Sequence, residues 1–418
     1  MLMEALMIDG LDIYPRSTVE VDGTTFSLAR RGADDQKVLI VQGDAHDFAG
    51  ELLNQVLVCP LTSGNAAMLR ERLPWLRPQL LGVQTSAGYG DRLGLATPGH
   101  VRAARKFEEI VPIFAQQSVR ENDRTGRTPQ QVMDDAMWGV FQEGWRGAWG
   151  ADADHLKTPD DVDAFVTAGY TFYVIDPGDR VDNEAHTASP AKVEVKVQAL
   201  PWEALEDTVP DMERRYVGKA FDLGFLLALG RGPLYRAAAK YGRAVAHTAA
   251  MYRHLVETMG DTPFELEVSV DETETPTSAL EHLYIAGELE RLGVEWVSLA
   301  PRYVGRFEKG VDYIGDLDEF KAELAKHAAI ARAFGPYKLS IHSGSDKFSI
   351  YPIIAELTEG LVHLKTAGTS YLEALRTIAQ VDVVFFREIL TLARERYGAD
   401  KATYHVSAEL SKVPAQKD

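Results

Sequence analysis

The chain has 418 residues, 45% hydrophobic and 25% charged, enough apolar material for one large barrel with additions or for two ordinary domains. Its 62 acidic against 44 basic side chains give a formal charge of -18 at pH 7, which argues against a polyanionic partner, so nucleic acid is not expected. No apolar run approaches the roughly 20 residues of a membrane-spanning helix, and the start from Met1 to Asp9 lacks the basic region of a secretory signal.

Cys59 is the single cysteine, which excludes an internal disulfide and a thiolate zinc cage and fits a reducing cytoplasm. Its neighbours Leu57, Val58 and Pro60 make it a core residue. Residues 1–80 carry strand-like runs at 38–41 and 53–59 and a helical run at 64–72, and form a small α/β appendage.

From residue 81 the pattern alternates strand and helix. Near-continuous apolar runs at 80–85, 111–115, 149–155, 171–175, 264–270, 296–300, 338–342 and 361–365 fit strands of a parallel sheet covered on both faces. Between two of them, residues 129–143 place Val132, Met133, Ala136, Met137, Val140 and Phe141 at helical spacing. Thr97-Pro98, Thr128-Pro129, Thr158-Pro159 and Thr275-Pro276 read as helix starts, threonine as cap and proline at the first helical position. Residues 177 to about 235 form a helical insertion after the fourth strand. The fold class is therefore α/β: residues 81–418 form a (β/α)8 barrel of the TIM type, with a doubly wound open sheet as the alternative.

In such a barrel, polar residues ending each strand face one cavity. That rule gathers Gln116 and Gln117 after the second strand and Asp154 and His155 after the third. It adds Glu267, Asp271 and Glu272 from the fifth, His342 from the seventh, and Lys365 from the eighth. Imidazoles and carboxylates without a thiol suit a divalent metal such as zinc, nickel, manganese or cobalt. His155 and His342 are the imidazole ligands expected, with Glu308 as the first choice of third ligand and His363 as the second, an interior histidine being the plainer reading of the latter.

Alternation in residues 264–270 puts Glu265, Glu267, Ser269 and Asp271 on one face, where a buried acid near a metal suits acid–base work. Lys365 either forms a Schiff base or holds an anion, and the electrostatic role is favoured. Gly88-Tyr89-Gly90 with Gly94 lacks the spacing of a dinucleotide fingerprint, and Gly230-Arg231-Gly232-Pro233 has no preceding strand. The mixed-charge run from Arg120 to Arg127 reads as a solvated loop whose first residues border the cavity.

Five stretches carry a resemblance: Phe114-Ala-Gln-Gln-Ser-Val-Arg-Glu-Asn122, Gly150-Ala-Asp-Ala-Asp-His155, Val268-Ser-Val-Asp-Glu-Thr-Glu-Thr-Pro-Thr-Ser278, His342-Ser-Gly-Ser-Asp-Lys-Phe-Ser349 and Lys365-Thr-Ala-Gly-Thr-Ser-Tyr371. With Tyr404-His405-Val406-Ser407 and Leu410-Ser-Lys-Val-Pro414, they resemble the tagaturonate epimerase family collinearly over most of residues 80–415.

The resemblance implies a divalent-metal-dependent epimerase interconverting D-tagaturonate and D-fructuronate, with Asp154 as proton acceptor, Glu267 as proton donor, and His155 and His342 among the metal ligands. The small-molecule substrate is then a ketohexuronate. An uncharged ketohexose or its 6-phosphate on the same scaffold is the alternative, and a metal-stabilised carbohydrate-binding protein without turnover is a further one. Arg92, Gln116, Gln117, Ser118, Lys347 and Lys365 are the side chains that bear on that choice. Oligomeric state is left open, a homo-oligomer being one reading.

Overall fold

Eight parallel strands close into a barrel in a computed structural model that describes residues 10–366, 369–403 and 406–414. Tyr404 and His405 of the motif above therefore lie outside the described residues, as do Ala367 and Gly368. In chain order the barrel strands are β1 (Ser86–Gly88), β2 (Val111–Ser118), β3 (Gly150–Leu156), β4 (Phe172–Ile175), β5 (Glu265–Val270), β6 (Ser298–Pro301), β7 (Lys338–His342) and β8 (Val362–Lys365). Each pairs in parallel with its chain neighbour, and β8 closes on β1 through His363 beside Ser86.

Apolar residues on the outer faces, among them Phe114, Ala151, Tyr173, Leu266, Val268, Leu299 and Ile341, join the helices in one continuous core. Burying each large side chain of this kind stabilises by about 1.5–3 kcal/mol. The inner positions are polar: Asp152, Lys338 and His363 have no solvent exposure. They are paired inside the lumen, where the Lys338 ammonium donates to Ser86 Oγ at 3.1 Å and that hydroxyl meets His363 Nδ1 at 2.9 Å.

Two expectations for the barrel need correction. The first strand is not 80–85 but the short Ser86–Gly88. Its small residues carry no apolar signature, and Gly88 matters for closeness, since a Cβ there would meet Gln116 Cγ at 3.3 Å. Of the Thr-Pro starts, Thr128 and Thr158 cap their helices in capping boxes. Thr97 is already inside helix Thr97–Ala104, and Thr275-Pro276 precedes a helix that begins at Ala279. There Ser278 caps with Glu281 in a capping box, which satisfies two free N–H groups, while Thr275 Oγ1 accepts from Lys240 at 3.0 Å.

Ahead of the barrel, residues 11–60 make a six-stranded antiparallel sheet. The expected strand at 53–59 is a hairpin, Glu51–Leu53 and Val56–Pro60, turned by Asn54 and Gln55 at positive φ. Cys59 is buried in this sheet, and burial pushes its thiol up to about 11. After β4 come the helices Pro190–Gln198 and Val209–Tyr216, a small hairpin of Ala220–Asp222 with Leu226–Ala228, and the long helix Arg231–Met259 that returns to β5. Among the described residues no helix is long and apolar enough to cross a membrane.

Candidate active site

The carboxyl ends of the barrel strands enclose a cavity of about 270 Å³, close to the lower end of small-ligand sites. Gln116, Ser118, Asp154, His155, Asp271, Glu272, His342 and Lys365 line it. Asp154 and His155 are adjacent in sequence, and in a regular strand they would face opposite sides. Against β4, however, Tyr173 pairs with Ala153 and Ile175 with Leu156, so two residues of β3 stand opposite Val174 alone. His155 takes up the extra length in the left-handed region at φ 55°. This bulge aims both side chains into the cavity, a form of strain characteristic of functional sites.

Lys365 sits among three acids. Its ammonium lies 2.7 Å from Asp154, 3.2 Å from Asp152 and 3.2 Å from Glu267. Burial alone would raise the Asp154 and Glu267 carboxyls, but Lys365 and the neighbouring imidazoles outweigh it and hold both below the usual range. Gln116 adds a hydrogen bond from Nε2 to Asp154 Oδ2 at 3.1 Å, and Ser298 donates to Glu267 at 2.6 Å. Glu267 is fully buried and meets the cavity through His342, whose Nε2 lies 2.7 Å from it, and through Lys365.

The rings of His155 and His342 stand edge to face, their centroids 5.2 Å apart. Ligand atoms of His155, Asp271 and His342 all lie within 4.8 Å of one another. The remaining ring nitrogen of each imidazole meets a carboxylate: Nδ1 of His155 is 3.2 Å from Asp176, and Nε2 of His342 faces Glu267. That is how ligating imidazoles are commonly oriented. Burial works against charge on both rings, yet Asp154 and Asp176 raise His155 to about 10, and Asp271 and Glu267 raise His342 to about 9. The acids thus draw cations, here protons, onto this spot, and the donor set of two nitrogens and one carboxylate suits a divalent metal.

Glu308 is not part of this cluster. Its Oε2 accepts from both the backbone N and Oγ of Ser407 at 2.7 Å, fastening the segment whose Val406 reaches the cavity wall. The loop after β6 folds outward to that segment, and Asp271 supplies the third group instead. His363 lies below the cavity, with Nδ1 on Ser86.

Gln117 and Lys347 also turn away. Gln117 Nε2 donates to Asn122 and Thr125, because alternation along β2 points it opposite Gln116. Lys347 donates to Ser345 and closes its own loop. The strand-end reading passed over Asp176 and Asp152, and it also passed over Arg302 and Lys309, which line the cavity. Asp176 and Arg302 follow Tyr173-Val-Ile175 and Leu299-Ala-Pro301, so the same rule reaches them.

The tagaturonate epimerase profile, UxaE, matches residues 14–418. The chain belongs to the tagaturonate epimerase family. A tagaturonate/fructuronate epimerase of Thermotoga maritima is 45% identical over 413 residues, covering 97% of this chain and 83% of the relative. Crystal structures of the fructuronate-tagaturonate epimerase UxaE of Cohnella laeviribosi, one with a single glycerol and one native, superpose with TM-scores of 0.91 at 39% and 38% identity. Each match covers 97% of this chain and 82% of the other. Membership of this epimerase family makes the protein an isomerase, and the likeness extends over the barrel and the sheet ahead of it.

Proposed function

We propose that the protein interconverts D-tagaturonate and D-fructuronate, with Asp154 and Glu267 handling the protons. The observation that carries this reading is the single Lys365 ammonium touching both acids beside the His155–Asp271–His342 cluster.

Counted from the hydroxymethyl end, the inverted carbon is C4, which is α to neither the C2 ketone nor the C6 carboxylate. Removing its hydrogen would leave an unstabilised carbanion, so simple enolisation fails. Reversible cleavage of the C3–C4 bond avoids that difficulty. His155, Asp271 and His342 would hold a divalent cation, which when bound supplies Lewis-acid polarisation of the substrate ketone.

Asp154 accepts the C4 hydroxyl proton as the C3–C4 bond breaks, and the electron pair passes to the ketone-bearing fragment. The other fragment is an aldehyde carrying C4 to C6. It turns about C4–C5, and the bond re-forms on its opposite face. Lys365, 2.7 Å from Asp154 and 3.2 Å from Glu267, passes the abstracted proton to Glu267, which returns it through Lys365 to the C4 oxygen. Protons and electrons balance without a further reactant.

The test incubates protein loaded in turn with zinc, nickel, manganese or cobalt with tagaturonate, tagatose and tagatose 6-phosphate. Epimerisation of tagaturonate with C4 deuterium retained is the expected result. Washout of that deuterium into solvent would contradict the cleavage step, turnover of the other sugars alone would reassign the substrate, and no product from any would leave a binding protein.

A further inference from the structure

We propose that Arg302 is a specificity-determining residue of this cavity, its guanidinium receiving the carboxylate of the sugar acid; the inference deepens the hexuronate reading and rests on it. Arg302 directly follows β6, and its backbone is fixed on both sides by Thr277, whose N donates to Arg302 O at 2.8 Å and whose Oγ1 accepts from Arg302 N at 3.1 Å. The side chain lines the cavity. Among the described residues its guanidinium has no hydrogen-bond or ion-pair partner, and its Nε is buried without an acceptor. A buried donor left unsatisfied costs about 1–3 kcal/mol, which an acceptor arriving with the ligand would recover.

The cavity's own acids are already engaged. Glu121 pairs with Arg92 at 3.3 Å and Arg124 at 3.2 Å, and Glu272 pairs with Arg120 at 3.0 Å. Asp154 holds Lys365, and Asp271 lies 3.3 Å from His342. Lys309, on the loop after β6, also lines the cavity and lies along Gly344, where a Cβ would meet its Cε at 3.0 Å. Desolvation and then the charge of Arg92, with Arg120 adding to it, lower the Lys309 ammonium to about 8 against the opposing pull of Glu121 and Glu272. A carboxylate is thus repelled by the acid floor around Asp154 and Asp271 and drawn to the wall at Arg302, which sets the substrate's direction.

The chemistry gives this anchor a second use. The carboxylate belongs to the C4–C6 aldehyde, the piece that separates in the cleavage step. Held at the carboxylate, it can turn about C4–C5 without leaving, so the anchor permits inversion while preventing escape.

The test titrates wild type, Arg302→Gln and Arg302→Lys with D-tagaturonate and with D-tagatose, its uncharged counterpart, by calorimetry, alongside KM and kcat on tagaturonate. Arg302→Gln should weaken tagaturonate binding about 10- to 100-fold and raise KM more than it lowers kcat, while tagatose binding moves by less than about threefold. Arg302→Lys should recover part of the loss. Tagaturonate binding that is unchanged in Arg302→Gln, or a loss of equal size for both sugars, overturns the proposal. If Arg302→Gln fails to fold, the ratio of the two affinities in Arg302→Lys carries the test in the same way. Should wild type turn over neither sugar while still binding tagaturonate through Arg302, the reaction assignment falls and the carboxylate site stands.

Discussion

The ammonium of Lys365 stands 2.7 Å from the carboxylate of Asp154 and is the counter-ion that lets this acid stay ionised in a buried site. Replacing it with methionine leaves Asp152, Asp154 and Glu267 crowded without their shared cation. Lys365→Met should lose about 3–5 kcal/mol of stability in urea unfolding, as breaking a buried pair does. Its turnover should fall with that of the acid variants below.

Asp154→Asn keeps the shape of the side chain and removes the proton acceptor. Its kcat on tagaturonate is expected to drop about 10²- to 10⁴-fold. Elemental analysis should find metal retained, because Asp154 is not one of the three groups that converge. Parallel loss of metal and activity would make Asp154 a ligand instead.

Asp271 and Glu308 separate by the same measurement. After dialysis, Asp271→Asn should carry far less metal than wild type, whereas Glu308→Gln should carry as much, since Glu308 spends its carboxylate on Ser407. Metal lost from Glu308→Gln and kept by Asp271→Asn would reverse the assignment.

His155 and His342 give the metal-free protein a signed response to alkali. Their folded values of about 10 and about 9 lie above the ordinary value near 6.5. Their stabilisation is therefore full below pH 6.5 and is lost as pH rises through 9 and 10. Thermal melting with a chelator should show Tm declining across that window, and added zinc should abolish the decline. Because a metal must displace those protons, its affinity should weaken as pH falls below 9.

An acid response arises elsewhere. His282 and His327 are buried together, Nδ1 to Nδ1 at 2.8 Å, and His282 Nε2 meets the Tyr337 hydroxyl at 2.7 Å. Burial lowers His327 to about 4 and His282 well below its usual value. Both fold neutral, so their contribution is complete above pH 6.5 and is lost as pH falls toward 4. The urea midpoint should drop between pH 7 and pH 5, and His327→Asn should flatten that drop.

The barrel was legible because strands covered on both faces must be apolar, and seven of the eight announced themselves in that way. Ser86–Gly88 did not, being defined by its neighbours rather than by its own side chains. At the site, strand-end logic gathered Asp154, His155, Asp271, His342 and Lys365, since parallel strands share one direction. It failed for Gln117, where alternation of the pleat decides; Glu308 and Lys347, chosen outside that rule, follow the path of their loops, which no local spacing records. Arg302 was passed over although the same rule reaches it, because a charged residue behind Pro301 looks like an ordinary surface position.

The kink at His155 has a consequence for anyone transplanting this chemistry. Copying the Asp154-His155 pair onto a straight strand of another scaffold would deliver one side chain to the target and hide its neighbour in the surrounding shell, so the extra residue opposite Val174 must travel with the motif.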